Sequence, residues 1–259
     1  MSTKECGNKT GLELEKSFTT GQMSKSRFTT STKGGAGTSP DKSLTVIIPA
    51  AGIGHRMKSY GPKCLLPFDQ QDTIINKTIS NLQKIYPFSE IITVVGFEAD
   101  KIIKVLPKDV RVIENQLYES TNIVESIRLA MNNSVYDHVL IVYGDLIFNI
   151  DTIKEITSNG SCIVVDSKSR FKDEEVGVTI VDDMATNFSY GLETKWAHII
   201  YLEGEELNIF QSLCLDRRRN KMYPFELFNV ILNRGGSIRT VEPKHMMIRE
   251  INSLRDLQP

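Results

Sequence analysis

The sequence predicts an α/β protein, a mostly parallel sheet with helices between successive strands. Short apolar, β-branched runs recur through residues 44–143, with the composition of strands buried on both faces. Segments of helical spacing separate them, as the right-handed crossovers of a parallel sheet require. Two of the runs end in small residues followed by charged ones, at the strand ends where such sheets bind ligands.

Taken in order, Leu44–Ile48 is the first strand and carries no charge. Ile75, Ile79, Leu82 and Tyr86 recur at helical spacing ahead of Pro87. Glu90–Val95 is the second strand, ended by Gly96. Asp100–Leu106 reads as a short helix capped by Asp100 and stopped by Pro107. Val110–Ile113 is a third strand, Thr121–Met131 a helix and His138–Tyr143 a fourth strand. Beyond residue 160 the pattern is less regular. Strands are expected at Ser161–Val165, Gly177–Val181, Ala197–Leu202 and Ser237–Glu242. Helices are expected at Glu205–Leu215 and Tyr223–Leu232, the second closed by Gly235-Gly236.

Residues 1–42 differ from the rest. Fourteen of them are Ser or Thr, Gly recurs and no apolar period appears, which predicts a disordered arm dispensable for chemistry ahead of one domain, 43–259. The net charge of −1 provides no general basic field for nucleic acid. No apolar run reaches the length of a membrane span and no signal-peptide core opens the chain, so a cytoplasmic protein is expected. Cys6, Cys64, Cys162 and Cys214 form no C-x-x-C pair, which removes zinc and redox motifs and predicts free thiols.

The first strand runs into Pro49-Ala50-Ala51-Gly52-Ile53-Gly54, then His55, Arg56, Lys58 and Lys63. Small residues let the backbone turn sharply and approach a ligand closely. Backbone N–H groups beside fixed cations make a phosphate site. A dinucleotide-binding G-x-G-x-x-G fails because its third small residue would be Met57, and a Walker A loop fails because Gly-Lys-Ser/Thr is absent. Ala50-Ala51-Gly52-Ile53-Gly54-His55-Arg56-Met57 with Pro62-Lys63-Cys64-Leu65-Leu66 resembles the signature of the sugar-nucleotide pyrophosphorylase-like nucleotidyltransferases. Two separated pieces match in order and spacing.

This resemblance implies a three-layer, Rossmann-like sheet and a reaction that joins an NTP to a phosphorylated small molecule and releases pyrophosphate. It implies Mg²⁺ as cofactor, held by the Asp of Leu140-Ile-Val-Tyr-Gly-Asp145, a position that a turn-capping Asp would also fill. It assigns Arg56 to the β/γ-phosphates, Lys63 to the α- or acceptor phosphate, and Ala50, Ala51, Gly52 and Gly54 to the nucleotide. Glu114-Asn-Gln-Leu-Tyr-Glu-Ser-Thr-Asn-Ile-Val-Glu-Ser126 is similar to the phosphocholine cytidylyltransferase-like branch, where this segment borders base and ribose. Asn115, Thr121, Asn122 and Ser126 can hydrogen-bond a base edge there, while Ser120 or Thr121 can also serve as a helix N-cap. Arg249-Glu250-Ile251-Asn252-Ser253-Leu254-Arg255-Asp256-Leu257 resembles the family's closing motif, whose central Asp is a second metal ligand. Here that position is Asn252, a neutral oxygen donor or the cap of a final helix.

Trp196 and Tyr190 read as packing or as walls of the acceptor pocket. The run Asp216-Arg217-Arg218-Arg219-Asn220-Lys221 reads as a solvated helix-end loop, the alternative being a site for an anionic partner. Two alternatives belong to other classes. A nucleotide-sugar-dependent glycosyltransferase would need an Asp-x-Asp, which does not occur. The other is a non-catalytic module that binds nucleotide or sugar phosphate. The base, the acceptor and homo-oligomer formation are left open.

Overall fold

Strand β1 (Thr45–Pro49) is buried at every position and lies between β2 (Glu90–Val95) and β4 (His138–Val142), parallel to both. The computed structural model describes residues 43–54, 61–69, 72–134, 136–169, 175–252 and 256. The expected arm 1–42 lies outside them, and so do His55, Arg56 and Lys58. Pro40–Pro259 forms one compact unit.

Nine strands form the main sheet, in the order β3-β2-β1-β4-β9-β6-β10-β8-β7 among the described residues. The others are β3 (Arg111–Glu114), β6 (Cys162–Asp166), β7 (Val176–Val181), β8 (Met184–Tyr190), β9 (Thr194–Glu203) and β10 (Arg239–Val241). Strands β1 to β4 pair in parallel. Strand β9 then pairs antiparallel with both β4 and β6, and β7 and β8 form an antiparallel hairpin, so the sheet is mixed. The hairpin turns at Asp182 and Asp183, both at positive φ (49° and 61°), which matches the twist of the flanking strands. A tight two-residue turn permits antiparallel pairing without a crossover helix. The expectation of a mostly parallel sheet overlooked this turn, and with it β8.

Alternate residues of β1 enter two separate cores. Val46 and Ile48 pack with Ile75, Ile79 and Leu82 of α1 (Ile74–Ile85) and Ile102 of α2 (Ala99–Ile103). Ile47 belongs with Val124 and Ile127 of α3 (Ile123–Met131), Phe210 of α4 (Gly204–Leu215) and Phe228 of α5 (Pro224–Asn233). Phe228 is fully buried and meets Phe188, Trp196 and Phe210 at ring-centroid distances of 5.4, 5.3 and 5.6 Å. Each such pair adds about 0.5–1.5 kcal/mol beyond the area buried.

Two cap assignments are corrected. Helix α2 starts at Glu98 in the left-handed region, and Asp100 lies inside the first turn. Helix α3 is capped by Asn122, whose side chain accepts from the Ile123 N–H, not by Ser120 or Thr121. The Thr121 hydroxyl instead donates to the Leu117 carbonyl at 2.7 Å. In helix α5, Pro224 opens the first turn and the Glu226 carboxylate accepts from the Tyr223 N–H at 2.7 Å. Cys64, Cys162 and Cys214 are buried free thiols. No helix of the described residues is long and apolar enough to cross a membrane.

Candidate active site

The parallel half of the sheet winds outward in both directions from β1, so the chain leaves a crevice at the β1 and β4 C-terminal ends. Two loops border it: Ala50–Gly54 after β1 and Tyr143-Gly144-Asp145 after β4. They touch closely at Gly144, where a Cβ would meet the Ala50 Cβ at 3.1 Å and the Pro49 carbonyl at 3.2 Å. Gly54 adopts φ +59° against the aliphatic stem of Lys63, a conformation side chains avoid. The crevice opens into a cleft of about 1080 Å³, lined by Ala50, Ala51, Gly52 and Gly54 at this end.

Lys63 sits on a single 3-10 turn (Lys63–Leu65) begun by Pro62. Its ammonium donates to Asp145 Oδ2 at 3.1 Å and to Asn252 Oδ1 at 3.0 Å, partners 82 and 189 residues away. Strand pairing explains the convergence. Immediately after Asp145, β5 (Leu146–Phe148) pairs antiparallel with β11 (Ile248–Glu250), and the Ile251 N–H donates to the Asp145 carbonyl at 2.9 Å. Asn252 is held in turn, its N–H donating to Asp256 Oδ2 at 2.8 Å. Burial and the charge of Asp145 push the neighbouring Cys64 thiol up to about 12, so it is no nucleophile here.

Asn115, Thr121, Asn122 and Ser126 all line the cleft. The Asn115 amide donates to Thr121 Oγ1 at 3.2 Å and Ser126 Oγ at 3.1 Å, and its carbonyl accepts from the Leu117 N–H. Asn115 and Ser126 are themselves buried. The segment is thus braced by its own side chains, which fixes the wall it presents.

The far end of the cleft holds groups the sequence reading did not assign. Lys195 pairs with Glu175 Oε1 at 2.7 Å and Glu250 Oε2 at 3.4 Å. Burial works against the charged form of Glu250, but the Lys195 ammonium and the Asn252 side chain hold its carboxyl below the usual range. Burial pushes the His198 imidazole below its ordinary value, so it is neutral near pH 7. The His198 backbone has φ +56°, which costs a non-glycine residue on the order of 1–3 kcal/mol. Trp196 is core as well as cleft wall, 1% exposed, whereas Tyr190 is half exposed at the rim with Tyr223 and Phe225. The basic run forms a 3-10 turn (Arg217–Arg219) capped by Asp216, with Arg218 in solvent.

A family model described as the MobA-like NTP transferase domain matches residues 46–216. The chain belongs to the MobA-like NTP transferase domain family. The expected nucleotidyltransferase membership therefore holds. Over 107 residues the chain is 37% identical to the bifunctional protein GlmU of Hydrogenovibrio crunogenus, covering 40% of this chain and 22% of that protein. The chain thus spans about a fifth of the length of that relative. The inositol-1-phosphate CTP transferase of T. maritima is similar in fold, with a TM-score of 0.69 at 15% identity over 84% of this chain and 92% of that one. The CTP:phosphocholine cytidylyltransferase of Streptococcus pneumoniae gives 0.66 at 17% identity over 83% and 96%.

Of the residues expected to form this family's site, Lys63, Asp145 and Asn252 are in direct contact, and Ala50, Ala51, Gly52, Gly54, Asn115, Thr121, Asn122 and Ser126 line the same cleft. Arg56 lies outside the described residues. Lys195, His198, Glu175 and Glu250 were missed as site residues. His198 had a signal: it interrupts an apolar run from Trp196 to Leu202. Glu175 had none, because its place depends on β7 pairing with β9.

Proposed function

We propose that this chain transfers a nucleotidyl group from an NTP to a phosphorylated small molecule, a sugar 1-phosphate or a phosphocholine-like acceptor, and releases pyrophosphate. The contact of Lys63 with Asp145 and Asn252, beside the Ala50–Gly54 loop, is the observation that carries this reading. An acceptor phosphate oxygen attacks the α-phosphorus in line and forms the new P–O bond. The bond from that phosphorus to the bridging β-phosphate oxygen breaks, and its electron pair leaves with pyrophosphate. No covalent protein intermediate is needed, so the protein's part is positioning and charge stabilisation.

Each named residue has a role in this reading. Lys63 neutralises the α- or acceptor phosphate and Arg56 the β/γ-phosphates. Backbone N–H groups of the Ala50–Gly54 loop face the triphosphate, and Asn115, Thr121, Asn122 and Ser126 border base and ribose. The sheet with helix clusters on its two faces is taken as the three-layer nucleotide-binding architecture. Residues 1–42 are an arm outside the chemistry, and the protein works in the cytoplasm. Pyrophosphate release from a panel of the four NTPs and phosphorylated acceptors tests the function. NTP binding with no release from any pair would leave a binding module.

Mg²⁺ fits the donor set. Asp145 and Asn252 contribute hard oxygens to one spot, spanned here by the Lys63 ammonium. Among the described residues no three His, Cys, Asp or Glu side chains gather into a metal cluster, so substrate phosphates and water would have to supply the remaining ligands. The ion supplies charge neutralisation on the triphosphate. Asn252→Asp adds a negative charge at this spot. Unit charges at 4 Å interact by about 1–4 kcal/mol in wet surroundings, so the Mg²⁺ concentration for half-maximal rate should fall about ten-fold. Mn²⁺ binding to the free protein, followed by calorimetry, should tighten in parallel. Unchanged metal dependence in both Asn252→Asp and Asn252→Ala would make position 252 purely structural.

A further inference from the structure

Position 252 carries an amide, and an amide, unlike a carboxylate, has two different ends. One end is an oxygen that accepts, the other an NH₂ that only donates. Turned one way, Asn252 offers a ligand to a cation. Turned the other way, it offers two N–H groups. The groups on either side decide between them. On one side is the Lys63 ammonium, a pure donor, 3.0 Å from Asn252 Oδ1. On the other is Glu250, whose carboxylate accepts from the Asn252 side chain. The two residues stand two apart at the end of β11, a spacing that puts both side chains on one face of an extended chain, and both line the cleft. Ile251 between them is pinned by its N–H on the Asp145 carbonyl at 2.9 Å. Glu250 is fixed in turn: its side chain is 14% exposed, and its Oε2 lies 3.4 Å from the Lys195 ammonium, which Glu175 holds at 2.7 Å.

Given the reading above, in which Asp145 and Asn252 supply the oxygens for Mg²⁺, we infer that Glu250 is a positioning residue for that metal. Its carboxylate turns the Asn252 oxygen toward Asp145 and, through the N–H it accepts, draws electron density onto that oxygen. The reversed amide would set NH₂ against the Lys63 ammonium and oxygen against the Glu250 carboxylate, two repulsive contacts in place of two hydrogen bonds. The charge missing from position 252 thus stands one hydrogen bond behind the ligand, at position 250. Groups that accept from the far end of a metal ligand orient it and raise its basicity, and losing one costs about ten- to hundred-fold in metal affinity. A carboxylate at 252 would need no such partner, because either of its oxygens can face the ion.

Two measurements on the full-length chain test this: Mn²⁺ affinity by calorimetry, and the Mg²⁺ concentration for half-maximal pyrophosphate release. Glu250→Ala should weaken both by about ten-fold or more. Glu250→Gln keeps an oxygen that accepts from Asn252 but drops the charge, so it should lose about three-fold at most. It also keeps the side-chain volume, which guards against a folding defect in the alanine variant. In the Asn252→Asp background there is no amide to turn, and Glu250→Gln and Glu250→Ala should then act alike. Equal losses for the two variants in the Asn252 protein would assign the effect to charge alone and overturn the inference. So would unaltered metal dependence in Glu250→Ala, or a gap between the two variants that persists beside Asp at 252. Each of these leaves the nucleotidyltransferase reading standing. Pyrophosphate release that needs no divalent ion defeats the metal reading itself, and this inference with it. No release from any NTP and acceptor defeats the nucleotidyltransferase reading.

Discussion

Lys63→Ala should lower turnover by about 10²–10³-fold while the thermal midpoint barely moves. The loss is that of one charge aimed at the developing transition state, about 2.7–4 kcal/mol. Lys63 reaches both Asp145 and Asn252 from one turn, and its stem is packed against Gly54. Folding depends on it far less. The Lys63 and Asp145 side chains are 18% and 21% exposed, so an orphaned Asp145 keeps access to water in the cleft. An ion pair in that setting is worth on the order of 1 kcal/mol. Single-turnover kinetics with thermal unfolding would separate the two effects. Wild-type turnover in this variant would remove Lys63 from the chemistry.

The second large effect is on stability. Glu125→Ala should destabilise the protein by about 3–5 kcal/mol, because it strands a buried guanidinium. Arg128 grips Glu125 through two bonds, Nε to Oε2 at 2.8 Å and Nη2 to Oε1 at 2.7 Å. The side chains are 9% and 7% exposed. Removing one partner leaves the other charge without water or counter-ion, whereas removing both avoids that penalty. The double variant Glu125→Leu/Arg128→Met should therefore lose much less than Glu125→Ala alone. Denaturant unfolding of the three proteins measures this. A single variant within about 1 kcal/mol of wild type would mean that water reaches Arg128.

Both effects bear on what was readable beforehand. The strands β1, β2 and β4 were legible because they are short, uncharged and buried on both faces, a composition few other structures use. Helix α1 was legible from its spacing, while its cap, Thr73 accepting from the Asn76 N–H, was not read from the sequence. Element ends shifted by up to three residues, since caps depend on side-chain choices that several neighbours can satisfy. At α3, Ser120, Thr121 and Asn122 all qualify by type, and only the backbone geometry selects Asn122.

What the sequence determined by itself was local: the small-residue turn after β1, the Gly-Asp after β4, the Lys63 turn and the closing Glu250-Ile251-Asn252 segment, each with its own chemistry. Their convergence was decided only in three dimensions. Lys63 meets Asn252 across 189 residues because β11 zips against β5, two strands of three residues each, too short to carry a periodic signal. The far end of the cleft is still less local. Glu175, Lys195, His198 and Glu250 come together through the β7–β9 pairing, a register shift in β9 and one left-handed residue. Strand composition reports burial, whereas register and bulges arise from the fit between distant segments, which no single stretch of sequence encodes.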